Sequence, residues 1–111
     1  MEEYLAKLLK ETNIPAYYVT KKNSKNLPCI VYDFIESTNA TSDDEEELLE
    51  YEVFFNIYAG NEIINIKRKL MKILKKAGFN KKIIPQPMYM DDLGYFEQAL
   101  QYSKIMEYKN I

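Results

Sequence analysis

The chain has 111 residues, 47% of them hydrophobic, and a formal net charge of -2 at pH 7. This length predicts one domain with one modest core, and the composition excludes an intrinsically disordered chain. The near-neutral charge gives no general attraction to nucleic acid. The chain has no histidine and a single cysteine, Cys29, which excludes the commonest catalytic base and an internal disulfide.

Two short elements are predicted at the start of the chain. Residues 2–13 carry apolar side chains at helical spacing with charged residues opposite, and predict an amphipathic helix that ends before Pro15. Residues 16–19 are mostly aromatic or β-branched and predict a short strand. The polar residues 20–28 are then expected to form a loop.

A long hairpin is predicted in the middle of the chain. Residues 29–36 are rich in β-branched and aromatic side chains, and residues 48–59 show an alternating pattern. We expect these two strands to pair in antiparallel fashion around a solvated, mobile connection at 37–46. The apolar positions of the second strand, expected to face the core, are Leu49, Tyr51, Val53, Phe55, Ile57 and Ala59.

A second amphipathic helix follows the hairpin. Asn61 is a candidate capping residue, and Gly78 is suited to end the helix because glycine adopts the left-handed conformation easily. The side chains expected to be buried are Ile63, Ile66, Leu70, Ile73, Leu74 and Ala77. Residues 81–90 are extended, but two prolines restrict them to a sheet edge or a loop. Residues 95–108 alternate and predict a long final strand, although 95–101 could begin as a helix.

These elements together predict an α+β fold. The order is helix, three strands, helix, and one or two further strands. We expect a single-layer, mainly antiparallel sheet of about four or five strands, packed by two amphipathic helices that cover one face. Residues 1–111 are expected to form one domain.

The strongest functional feature is a division of charge along the chain. Residues 36–52 contain eight carboxylates and no Lys or Arg, and residues 67–82 contain eight cations and no carboxylate. Such segments can pair within one subunit or between copies, so they predict an interface with another subunit or a partner protein. The candidate interface residues are Asp43, Asp44, Glu45, Glu46, Glu47, Glu50, Glu52, Lys67, Arg68, Lys72, Lys75 and Lys76.

One alternative is a catalytic or nucleic-acid-binding site. Asp92, Glu107 and Lys109 resemble in their order the Asp…Glu-x-Lys set of a metal-dependent nuclease, in which carboxylates hold Mg²⁺ and a lysine orients water. This spacing arises readily by chance in a chain rich in Lys and Glu. The chain also has no Gly-rich phosphate loop and no Cys or His cluster. We therefore expect neither an enzyme nor a cofactor or metal site.

Several short motifs follow one another in an order that resembles a known family. They are Leu-Pro-Cys-Ile-Val at 27–31, Tyr-Glu-Val-Phe-Phe-Asn-Ile-Tyr at 51–58, Gly-Phe at 78–79 after a helix, and Ala-Leu-Gln-Tyr at 99–102. The chain is similar in this respect to the small tail-completion, or tail-terminator, proteins of long-tailed bacteriophages and prophages, which join head and tail. The resemblance covers roughly residues 3–108.

The resemblance implies an α+β subunit without catalytic residues. Its copies would form a ring, often of six, at the head-proximal end of the tail tube, where the ring stops tube growth and receives the head. The implied partners are the tail-tube protein and a head-completion or connector protein, and the implied location is the virion, with the host cytoplasm during assembly. No apolar run approaches the roughly 18 residues of a membrane span, so no membrane association is expected, nor is specific nucleic-acid binding.

Overall fold

One mixed sheet of six strands, with two helices packed on one of its faces, forms the fold in the computed structural model. The structure describes residues 1–19, 26–40 and 48–107, with the backbone alone at 38–40 and 107. The elements are α1 (Glu2–Leu9), a 3-10 turn (Lys10–Thr12), β1 (Ala16–Tyr18), β2 (Cys29–Ala40), β3 (Leu48–Ala59), α2 (Ile63–Lys76), β4 (Asn80–Ile83), β5 (Met88–Met90) and β6 (Tyr95–Glu107). The predicted α+β class is confirmed.

Three long antiparallel strands form the centre of the sheet. The strand order is β1-β2-β3-β6-β4, and β5 pairs with the first residues of β6. The sheet has six strands rather than four or five, because Pro85 and Pro87 interrupt the extended segment 81–90 and leave two short strands at the edge. β1 pairs with β2 in parallel, which the predicted antiparallel order did not include.

The central hairpin is longer than the sequence pattern indicates. β2 continues through Ala40, so the segment 37–40, predicted as part of the solvated connection, is strand. Ser37 pairs with Glu50, and Thr38 pairs with Leu49. The neighbouring strand β3 pairs with Ser37, Thr38 and Ala40, with a register shift at Asn39, and this pairing outweighs the low strand propensity of Asn39 and Ala40. The remainder of the predicted connection, 41–46, lies outside the described residues.

The core lies between the sheet and the two helices. The predicted alternation of β3 is confirmed, since all six apolar positions are buried and the residues between them are partly exposed. The helices add Leu5, Leu9, Ile63, Ile66, Leu70 and Leu74. Ile73 and Ala77 are partly exposed rather than buried, because Ile73 lies on the flank of the buried stripe and Ala77 at the helix end. No helix in the described part of the chain combines the length and the apolar character that crossing a membrane requires.

The two ends of α2 are set by different contacts. The N-cap residue is Glu62 rather than Asn61, and the Ile63 N–H donates to the Gly60 carbonyl at 3.1 Å instead of to a side chain. At the other end Gly78 has a φ of 87°, as predicted for a glycine stop. The Lys104 ammonium from β6 donates to the Ala77 carbonyl at 3.0 Å, and a cation there complements the negative end of the helix.

Candidate assembly surfaces

The outer face of the sheet, opposite the helices, is not covered by either helix. Because side chains alternate along a strand, the buried residues of β3 point to the helices, and Glu50, Glu52, Phe54 and the other residues between them point to the outer face. Pairing with β2 and β6 fixes which of their residues share that face.

This outer face is acidic. Asp33 lies opposite Phe54, and Glu97 lies opposite Tyr58, so both join Glu50 and Glu52 on the same side of the sheet. The outer-face positions of β2, β3 and β6 whose side chains the structure describes include these four carboxylates and no Lys or Arg. Asp33, Glu50, Glu52 and Glu97 are named the acidic face below.

Polar contacts and exposed apolar side chains accompany these carboxylates. The Gln101 side-chain amide donates to Glu52 Oε2 at 3.2 Å. Burial, and then a hydrogen bond to Glu97, raises the pKa of Tyr58 well above its ordinary value, so this tyrosine stays neutral beside the carboxylate. Ile35 and Ile105 are 60% and 45% exposed on the same face. These two isoleucines add exposed apolar surface to the acidic face.

The outward side of α2, on the other side of the sheet, is basic. α2 carries six cations and no carboxylate. Arg68, Lys72, Lys75 and Lys76 are exposed on its outward side and form the basic face. Two further cations of α2 differ from these. Lys67, a predicted interface residue, is half-buried. The Lys69 ammonium donates to the Thr12 carbonyl at 2.9 Å and so ties α2 to the end of the first helical segment.

A groove lies between α2 and the β4 edge of the sheet. Its apolar lining consists of Met71, Phe79 and Tyr102, and its cations are Lys72, Lys75 and Lys81. Lys81 reaches this groove because it pairs with Tyr102, whose side chain points to the helix side. This is called the basic groove below, and its volume is about 390 Å³.

The structure therefore separates the two predicted charge sets. Glu50 and Glu52 lie on one side of the sheet, and the cations of α2 lie on the other side. The sheet and the body of α2 therefore stand between the two sets of charges. The acidic run at 43–47 lies outside the described residues. Asp33 and Glu97 lie outside the charged segments of the sequence, and Lys81 lies in the basic segment 67–82 but was not among the candidate interface residues. The alternation in their strands places each on its observed side once the pairing is known.

Glu36, the first residue of the acidic segment, has a structural role on the helix side of the sheet. Its side chain accepts a hydrogen bond of 2.7 Å from the Tyr51 hydroxyl. Burial, followed by this hydrogen bond, raises the pKa of Tyr51 from 10.0 to about 12. The acidic segment is thus divided between two faces, and only part of it belongs to the outer surface.

Between about pH 10 and pH 12, we expect the wild-type chain to lose stability faster than Tyr51→Phe. Tyr51 ionises near pH 10.0 in the unfolded chain but keeps its proton to about 12 in the fold. The raised pKa therefore gives stability that is present below pH 10 and is lost as the pH rises through this interval. Denaturant unfolding of both chains across the interval measures the difference, and identical pH dependence would contradict the Tyr51–Glu36 contact.

The backbone positions of Asp92 and Glu107, the two acidic residues of the nuclease alternative, lie at opposite ends of β6. Asp92 lies in the turn before β6, and Glu107 is the last residue of that strand. At about 3.4 Å per residue the 13-residue strand spans roughly 40 Å. This backbone separation is too large for the two residues to meet at one ion within a chain, and Lys109 lies outside the described residues. Over the part of the chain that the structure describes, no group of three or more Cys, Asp or Glu could hold a metal ion.

Comparison with known proteins adds no family assignment. No protein-family model matches the chain, and no curated protein matches it. The candidate surfaces rest on the geometry described above.

Proposed function

We propose that this protein is a structural subunit that joins copies of itself head to tail, with the basic face of one copy against the acidic face of the next. The observation that supports this most directly is the position of opposite charges on opposite sides of one sheet. A two-fold dimer joins identical surfaces, and it would bring acid to acid or base to base. Contact between unlike surfaces is heterologous and either closes into a ring or continues as a filament.

The proposed assembly is a ring that completes a bacteriophage tail and joins it to the head. The order of the helices and strands, and the motifs at 27–31, 51–58 and 78–79, support this proposal through their resemblance to tail-completion proteins. The ring would contact the tail-tube protein on one side and a head-completion or connector protein on the other. Its location would be the virion, and the host cytoplasm during assembly. The separation of Asp92 and Glu107 along β6 does not favour the nuclease alternative.

Charge reversal on each face tests the head-to-tail contact. The acid-reversed chain carries Glu50→Lys and Glu52→Lys, and the base-reversed chain carries Lys72→Glu and Lys75→Glu. Either chain alone meets like charge at every contact and should stay monomeric in light scattering. An equal mixture restores opposite charges at every contact, so assembly should return. In wild type, about 0.5 M salt shortens the screening length to roughly 4 Å and should weaken the assembly.

The control is a chain with Asp91→Lys and Asp92→Lys. It makes the same charge change as the acid-reversed chain, but in an exposed turn that belongs to neither face. This control should assemble as wild type does. Either reversed chain assembling alone at the wild-type level, or a mixture that remains monomeric, would contradict the proposed contact. Assembly that strengthens with salt would contradict it as well.

A further inference from the structure

The basic groove has a chemistry that selects its occupant. Three lysines form the rim of the groove. Its apolar floor consists of Met71, which is partly exposed, and the small exposed parts of Phe79 and Tyr102. A bare anion would neutralise the rim but leave the floor in contact with water. An apolar group alone would leave three cations unneutralised at a contact that excludes water. The groove therefore suits an apolar side chain flanked by carboxylates, and its volume is at the low end for a small-molecule pocket.

The acidic face of the same protein carries such a group. Ile105 lies directly opposite Glu50, and Ile35 lies directly opposite Glu52, so each exposed isoleucine has a carboxylate as its cross-strand neighbour. The side chains of directly opposed residues are about 5 Å apart at Cβ. Ile35, Glu52, Glu50 and Ile105 follow one another diagonally across three strands, and are named the Ile–Glu patch.

We infer that the basic groove receives the Ile–Glu patch of a neighbouring copy. An isoleucine would cover the floor of Met71, Phe79 and Tyr102, and the adjacent carboxylates would meet the lysine rim. This inference rests on the proposed head-to-tail contact and goes beyond it by naming the residues that meet. A nucleic-acid backbone matches the rim alone, since its phosphates cannot cover an apolar floor.

Cross-linking between copies tests the assigned partners. A chain with Ile105→Cys and Lys72→Cys, treated with a short bis-maleimide reagent, should give a ladder of covalent oligomers on a denaturing gel. Native Cys29 is fully buried and can remain in place. The control replaces Lys72→Cys with Asp92→Cys, in the exposed turn at 91–94, which belongs neither to the basic face nor to the groove. The control chain should give little or no ladder.

The apolar half of the contact has its own test. Ile35→Ser with Ile105→Ser removes the exposed apolar side chains but no charge, and should weaken association by about tenfold or more. Because both isoleucines are exposed, we expect the doubly substituted chain to fold, and circular dichroism checks this.

Two results would overturn the inference while leaving the head-to-tail proposal in place. One is a ladder of equal strength from Lys72→Cys and Asp92→Cys, each combined with Ile105→Cys, in chains that assemble. The other is assembly that is rescued by mixing the charge-reversed chains and is unaffected by the two serine substitutions. Binding of a DNA duplex by wild-type monomers, lost in Lys72→Glu/Lys75→Glu without any self-association, would overturn both.

Discussion

Under the proposed role in tail completion, Lys72→Glu with Lys75→Glu in the encoding phage or prophage should leave heads separate from tails that are over-long or unjoined. Both lysines are exposed on α2 and line the basic groove, so their reversal changes the surface without disturbing the core. Acidic residues near the end of a helix cost only about 0.3–1 kcal/mol each through the helix dipole. That cost is small beside a typical folding stability of about 5–15 kcal/mol, so the chain should fold and fail in assembly.

Electron microscopy of lysates measures this effect as the fraction of heads that carry a tail. Glu107→Ala is the matched test of the nuclease alternative, and it should leave particle assembly nearly unaffected. Co-expression of the acid-reversed chain should restore part of the joined particles, because it supplies the opposite charge to the reversed lysines. Normal particles from the lysine variant would reject the basic face as an assembly surface. Metal-dependent DNA cleavage by wild type, lost in Glu107→Ala, would reject the structural role altogether.

Phe55→Ala should reduce the free energy of unfolding by about 3–5 kcal/mol, because a fully buried aromatic side chain leaves a cavity that its neighbours fill only in part. Phe55 lies at the centre of β3, and its ring packs edge-on against Tyr102 with 6.4 Å between ring centroids. The loss would be a large fraction of the stability of a domain of this size.

The adjacent residue Phe54 provides the control for Phe55. It has the same side chain, in the same strand, but it lies half-exposed on the outer face of the sheet. Phe54→Ala should therefore lose only about 1 kcal/mol, in proportion to the smaller apolar area that it buries. Denaturant midpoints measured at constant m-value give both numbers. Equal losses for the two substitutions would contradict the assignment of the two faces.

The elements with strong periodicity were predictable from the sequence. The alternation in residues 48–59 predicted the limits of β3 and all of its buried side chains, because burial of one face imposes a period of two on a strand. The stripe through Ile63, Ile66, Leu70 and Leu74 predicted α2 in the same way. Weakly patterned segments were predicted less well. Ser37 and its neighbours extend β2 only because β3 supplies hydrogen-bonding partners beside them.

The division of charge was likewise a property of the sequence, since it follows from which residues stand in 36–52 and 67–82. Which charges share a surface was decided only by strand register and by helix packing. Alternation relates residues within one strand, but it does not say which residues of separate strands lie side by side. Pairing across the sheet brought Asp33 and Glu97 beside Phe54 and Tyr58, and the packing of α2 on the other side set its lysines apart from them.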